Sequence, residues 1–177
     1  MKTLKGCLIS LFIFFIFCFS ITYCFKYFTI KSFENKYDEV NKSWIHLLTN
    51  INDKNAYLYK KSLLNDSINL YVERNNIYKD TSQNNIKIQE NEFHIDKYSH
   101  DIDSINSVLN SLVRDYNDKA KNYNYSRQSF PNFLFLKGSI YNFTFKYYYI
   151  NYGEINENPL IREERVNNFI ETGVLNE

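Results

Sequence analysis

The fold of this chain is decided by residues 88–131, IQENEFHIDKYSHDIDSINSVLNSLVRDYNDKAKNYNYSRQSFP. Apolar or aromatic residues occupy every seventh position of this stretch: Ile88, Ile95, Ile102, Leu109, Tyr116, Tyr123 and Phe130. Three more, Tyr98, Ile105 and Leu112, follow members of this series by three residues, which places them on the same side of a helix. A seven-residue apolar repeat is typical of a helix that packs against a partner at a shallow angle. The repeat therefore predicts one long amphipathic helix over 88–131.

The second half of this stretch also carries a motif. Two Tyr-Asn pairs lie seven residues apart, after an arginine and before a Phe-Pro pair: Arg114, Tyr116, Asn117, Tyr123, Asn124, Phe130 and Pro131. This pattern resembles the last helix of the LemA family, and Trp44 in the stretch VNKSW resembles the tryptophan motif of the family's first helix. The resemblance implies an up-down helical bundle with a short outside N-terminus and a cytoplasmic body. The chain departs from the family after Trp44 and has a shorter middle region.

Residues 6–25 are twenty uncharged residues, dominated by Leu, Ile and Phe, between Lys5 and Lys26. At about 1.5 Å per residue, a helix of this length spans roughly the 30 Å hydrocarbon layer of a membrane. We therefore predict a short flank (1–5) and an uncleaved single-pass transmembrane helix (6–25) that contacts membrane lipid. The alternative is a cleaved signal peptide, because Lys2 and Lys5 give a positive start, although the apolar run is longer than a usual signal core.

The first helix is predicted to continue beyond the membrane. Apolar residues follow alternating three- and four-residue steps from residue 30 to residue 58, and only Lys54 interrupts them. No Pro or Gly lies in this range, so we expect a continuous rod that ends around residues 59–64. Residues 65–85 leave room for a short helix capped by Asp66 or Ser67. The prediction for 26–131 is thus an all-α antiparallel hairpin or bundle with coiled-coil-like contacts.

Residues 132–177 have a different pattern. The window 133–150 is the most aromatic in the chain. Its aromatic residues alternate in a way that is typical of a strand, at Tyr141, Phe143, Phe145, Tyr147 and Tyr149. A single strand has nothing to pair with. We therefore predict an irregular or short helical segment whose rings cap the membrane-proximal end of the hairpin or lie at the headgroup level. A short helix is predicted over 160–172.

Few residues in the chain are placed for catalysis. The three histidines, His46, His94 and His100, lack the spacing of a zinc site, and all three cysteines lie within 6–25. There is no glycine-rich phosphate loop, and a net charge of +1 without a basic stripe argues against nucleic-acid binding. The sequence predicts no enzyme, no metal, no cofactor and no small-molecule substrate.

The Tyr-Asn pairs allow two interpretations. Tyr116 and Tyr123 either pack against the helix of Trp44 or form a recognition face for a partner membrane protein, and we favour packing. The expected function is that of a non-enzymatic, membrane-anchored scaffold or interaction module, which binds a membrane protein or a second copy of itself. The alternative is a secreted or surface-displayed helical factor, released by cleavage of the N-terminal segment.

Overall fold

The computed structural model describes residues 2–60, 66–77, 82, 85–97, 102–154 and 156–172. All regular secondary structure in these ranges is helical, which confirms the all-α prediction. The helices are α1 (Lys2–Lys60), α2 (Asp66–Ile77), α3 (Ile86–Asp96), α4 (Asp103–Gln128), α5 (Asn132–Phe135) and α6 (Pro159–Thr172).

Helix α1 joins the predicted span and the first helix of the body without interruption. Between residues 8 and 28 every side chain except that of Cys18 is exposed. Burial begins at Phe33, which is 2% exposed. The described residues thus include one helix, near the N-terminus, that is long and apolar enough to cross a membrane, and a signal sequence would meet the same criteria.

Beyond residue 33, helix α1 buries one stripe of side chains against α4. The ring of Phe33 meets that of Tyr123, with centroids 5.3 Å apart, and Trp44 meets Tyr116 at 5.5 Å. Residue numbers rise along α1 as they fall along α4, so the two helices are antiparallel.

The predicted continuous helix over 88–131 is wrong. The chain forms α3, which ends at Asp96, and α4, which begins at Asp103 after the non-helical Ile102. Tyr98, His100 and Asp101 of the predicted helix lie outside the described residues. Ile88, Ile95, Ile102 and Leu109 are nevertheless all at most 4% exposed. The seven-residue repeat continues across the break because it depends on which residues are buried. Ile102, which lies between the two helices, is buried as Ile95 and Leu109 are.

The middle of the chain supplies two helices. Helix α2 occupies Asp66–Ile77, inside the range predicted for a short helix, and the two residues predicted as caps, Asp66 and Ser67, are its first two residues. Helix α2 packs antiparallel to α3, because Asn75 contacts Asn91 and Tyr71 stacks on His94 with ring centroids 4.6 Å apart.

Residues 141–152, which we call the aromatic segment, are neither helix nor strand, in agreement with the predicted irregular structure. Their predicted location at the membrane-proximal end is wrong for most of the segment. It contacts Tyr37 through Tyr141 and then runs along the core to Lys54, which lies 4.5 Å from the ring centroid of Tyr152. Amide side chains of α3 and α4 bind its backbone from two sides, as described below. The predicted helix over 160–172 is present as α6, which packs on α3.

Candidate functional site

The lysine that interrupts the apolar pattern of α1 forms an ion pair inside the protein. The Nζ of Lys54 lies 2.5 Å from Oε2 of Glu92 on α3, and both side chains have 0% exposure. Charged groups are rarely buried without a partner, because removing an ion from water costs several kcal/mol. The pairing explains how a lysine can occupy a core position between Ile51 and Leu58.

Glu92 is surrounded by hydrogen-bond donors. Its Oε1 accepts hydrogen bonds from the amides of Asn55 and Asn75, each at 2.7 Å. Its Oε2 accepts a bond of 3.2 Å from the hydroxyl of Tyr152 in addition to the lysine. The donors come from α1, α2 and the aromatic segment, so the carboxylate links three parts of the chain to α3.

Two stacked tyrosines extend this cluster. The hydroxyls of Tyr148 and Tyr152 lie 2.8 Å apart, and the ammonium of Lys54 faces the Tyr152 ring. Burial, followed by the negative charge of Glu92, raises the pKa of both phenols well above the ordinary value. Both tyrosines therefore stay neutral and act in this cluster through hydrogen bonds.

Asp96 is a second acidic group near the pair. Burial raises its pKa, while the charge of Lys54 and the N–H of Gly153 act in the opposite direction. The Gly153 N–H lies 3.3 Å from both carboxylate oxygens. Gly153 has φ +79°, and a Cβ there would lie 2.9 Å from Nδ2 of Asn106. A glycine is therefore required for this turn to reach Asp96.

The cluster is built as a structural centre. The Glu92 carboxylate has four donors around its two oxygens and no contact with solvent, so it is not placed to take a proton from a bound molecule. These contacts fix the positions of α1, α2 and the aromatic segment relative to α3.

Asparagines of α4 bind the backbone of the aromatic segment. Asn117 donates to the carbonyl of Tyr148 at 2.7 Å and accepts from its N–H at 2.8 Å. Asn124 makes the same two bonds with Phe145, both at 2.9 Å, and Asn110 makes them with Tyr152, at 3.0 and 2.7 Å. These three residues, seven positions apart, form what we call the asparagine ladder.

Helix α3 binds the opposite side of the same segment. The side chain of Gln89 donates to the carbonyl of Tyr147 at 2.9 Å and accepts from the N–H of Tyr149 at 2.7 Å. Buried backbone groups must be hydrogen-bonded, and a lone extended segment has no neighbouring strand. Amide side chains take the place of that strand here.

The structure brings most residues of the predicted motif together. Trp44, Tyr116 and Tyr123 are at most 4% exposed. The Tyr116 hydroxyl lies 2.6 Å from the carbonyl of Lys146, and the Tyr123 hydroxyl donates to Tyr141 at 2.7 Å. The tyrosine rings therefore pack inside the body, and their surfaces are not accessible to a partner.

Two parts of the motif lie elsewhere. Arg114 is exposed at a groove of about 570 Å³ that also borders Lys121 and Arg162. Phe130 was expected in the packed face of the helix, but it is 77% exposed because α4 ends two residues earlier, at Gln128. Pro131, which follows it, is partly exposed.

Over the described ranges, no three His, Cys, Asp or Glu side chains are grouped so that they could hold a metal ion. His94 stacks on Tyr71, and His46 lies on the exposed side of α1.

Glu92, Asn75 and Tyr152 were not identified from the sequence. One signal was available, because Lys54 interrupts one apolar pattern and Glu92 lies between Ile88 and Ile95 in another. Two opposite charges at core positions of two helices predict a pair. No comparable pattern marks Asn75 or Tyr152.

Comparisons with protein families, with curated proteins and with solved structures found no match for this chain.

Proposed function

We propose that this protein is a LemA-like, single-pass membrane protein whose helical body is a non-enzymatic scaffold or interaction module at the membrane. The observation that carries the proposal is the exposed apolar half of α1. Its large side chains between residues 8 and 28 are 41–77% exposed, and none of the other described residues covers them. An apolar surface of this extent is costly in water and is satisfied by lipid.

The packing of the body supports the LemA resemblance. Trp44 meets Tyr116, and both asparagines of the Tyr-Asn pairs bind the aromatic segment. The motif residues thus pack the two long helices together and bind the aromatic segment. Helix α1 is antiparallel to α4 and α2 is antiparallel to α3, which supports an up-down bundle with a shortened middle.

The accessible part of the motif favours a role in interaction. Arg114 is exposed on α4, whereas Tyr116 and Tyr123 are buried. We propose that the surface around Arg114 contacts a membrane-protein partner or a second copy of the chain, and that the body is cytoplasmic.

The position at which burial begins in α1 supports a second candidate function, that of a secreted factor. The buried stripe of α1 starts at Phe33, so cleavage near residue 25 would leave the core intact. The chain would then be a secreted or surface-displayed helical factor.

The mass of the mature protein separates the two. The full chain is expressed, fractionated and analysed by intact mass spectrometry, with carbonate extraction of the membrane fraction. A carbonate-resistant protein that retains residues 6–25 supports the anchor, and a start near residue 25 overturns it.

For the interaction role, a photo-crosslinker at position 114 should capture a discrete membrane protein or a second copy. One at exposed Asn122 of the same helix should not.

A further inference from the structure

The connection between α4 and the aromatic segment exposes a group of large apolar side chains. Phe130, Phe133, Leu134 and Ile140 are 77%, 47%, 52% and 80% exposed. The rings of Phe130 and Phe133 are 6.4 Å apart. We call residues 129–140 the anchor-proximal turn.

This turn lies at the end of the body where α1 leaves the predicted membrane span. Phe33, which meets Tyr123, is eight residues after Phe25, or about 12 Å along the helix. Helix α4 returns toward the membrane for five residues after Tyr123, or about 7.5 Å, before it ends at Gln128. The end of α4 therefore lies within about 5 Å of the level where the span ends.

The turn is also held against α1. Helix α5, inside the turn, packs on α1, and Leu136 is buried in the same core cluster as Phe33. The exposed side chains of the turn thus cannot move far from the helix that enters the membrane.

The charges at this end suit an anionic lipid surface. Residues 26–36 and 125–140 contain five cationic residues and one acidic residue: Lys26, Lys31, Lys36, Arg127, Lys137 and Glu34. Lys and Arg side chains near an anionic leaflet are attracted to it and strengthen membrane binding.

We propose that the anchor-proximal turn is a second membrane contact, in which Phe130, Phe133, Leu134 and Ile140 enter the interfacial layer of the bilayer that holds residues 6–25. Lipid is the occupant because the turn packs on the same helix whose exposed apolar surface includes Tyr27 and Phe28, which are 56% and 67% exposed, and because residues 26–36 and 125–140 carry more cations than acids. The inference rests on the proposed anchor. Its consequence is that the body is fixed to the bilayer at two points and cannot swing freely about the end of the span.

The test uses the full chain with its three cysteines replaced by alanine, reconstituted in nanodiscs of phosphatidylcholine and phosphatidylserine. A nitroxide is attached to a single new cysteine at Leu134, at Phe14 in the span, or at Leu160, an exposed leucine of α6. Collision rates with oxygen, which concentrates in lipid, and with a water-soluble nickel complex report the depth of each label. We expect oxygen to dominate several-fold at 14, nickel to dominate at 160, and position 134 to report an interfacial depth.

The three positions separate the two proposals. A lipid environment at 14 with a water-like label at 134 overturns the second contact and leaves the anchor standing. A water-like label at both positions overturns the anchor as well. In nanodiscs of phosphatidylcholine alone, the label at 134 should become shallower while the label at 14 does not change. An unchanged depth at 134 would overturn the part assigned to the cations. Circular dichroism of each labelled chain confirms that it is folded.

Discussion

Lys54 and Glu92 are held at 0% exposure, where each charge depends on the other and on neighbouring amides. Replacing a buried ion pair by apolar residues is often neutral, whereas removing one partner leaves a buried, uncompensated charge. The two kinds of variant therefore distinguish the electrostatic role of the pair from the space that it fills.

Glu92→Gln should lower the free energy of unfolding by about 3–5 kcal/mol, because the ammonium of Lys54 loses its counter-charge. Adding Lys54→Met should restore a large part of that loss, since the remaining amide still accepts a hydrogen bond. Chemical denaturation of the full chain in detergent, followed by circular dichroism, measures both variants. The matched control is Lys119→Gln, which breaks an exposed ion pair with Asp115 and should cost less than about 1 kcal/mol. A double variant that is no more stable than Glu92→Gln would contradict the electrostatic account.

The burial of Asp96 predicts how the stability of the protein depends on pH. Its pKa in the folded protein is raised above the ordinary 3.8, chiefly by burial. The folded state therefore binds this proton more tightly than the unfolded state, and the contribution of Asp96 to stability falls as pH rises above that value. Asp96→Asn cannot lose the proton. The stability of the native chain minus that of the variant should decrease as the pH rises from the ordinary pKa of 3.8 towards neutrality in the same denaturation experiment, and an increase would contradict the raised pKa.

Part of this centre could be predicted from the sequence. Lys54 was identified as the interruption of an otherwise apolar face, which is a local property of α1. Its partner is 38 residues away in the chain, and the separation of two residues in space depends on how the helices are packed. The two helical patterns mark Lys54 and Glu92 as opposite charges at core positions, but they contain no information about Asn75 and Tyr152, which could not be assigned.

At the scale of single elements, the aromatic segment shows how a strand-like sequence can be stable without a sheet. Its alternation of aromatic residues was visible, and the absence of a second strand was noted. The asparagine ladder was visible only in part, as the two asparagines of the motif, because asparagine on a helix is usually a surface residue. Its spacing of seven matches the rotation of α4, which returns the same face to the segment every two turns.

The asparagine ladder predicts which part of the aromatic segment loses protection from hydrogen exchange when one asparagine is replaced. Asn117→Ala removes both hydrogen bonds to Tyr148 and should cost about 1–3 kcal/mol, because a buried N–H and carbonyl are left unpaired. In hydrogen exchange followed by mass spectrometry of the full chain in detergent, the peptide that contains Tyr148 should exchange faster, whereas peptides from α1 should change little. Asn122→Ala, on the exposed side of α4, is the control. Equal exchange in the two variants would show that Asn117 does not hold the segment.

The break between α3 and α4 was missed for a related reason. The sequence near residues 97–102 contains no Pro or Gly that would mark the end of a helix, and Ile102 keeps the seven-residue repeat in phase. Apolar periodicity reports burial, and Ile95 at the end of α3 and Leu109 in α4 are both buried. The start of α4 at Asp103 places a carboxylate in the first helical turn, where the helix dipole favours it, and this was the available sign.

At the scale of the whole molecule, two simple patterns gave reliable predictions of secondary structure: the apolar run of residues 6–25 and the seven-residue repeat of residues 88–131. They correctly predicted an all-helical chain with a long apolar N-terminal helix. They did not predict that the aromatic segment enters the body between α3 and α4, because that path depends on amide contacts from several helices at once.

The continuity of α1 leads to a prediction for the whole molecule. Inserting seven helix-forming residues after Phe25 would raise the body by about 10 Å and turn it by only about 20°, because seven residues are nearly two full helical turns. If the anchor-proximal turn rests in the interface, a nitroxide at position 134 should move from an interfacial depth into water. A label at position 14 should stay in lipid. The same seven residues appended after Glu177 add no distance between span and body, and the depth at 134 should then be unchanged. A label at 134 that keeps its depth after the first insertion would mean that α1 bends between span and body, so that a rigid rod does not set the height of the body above the bilayer.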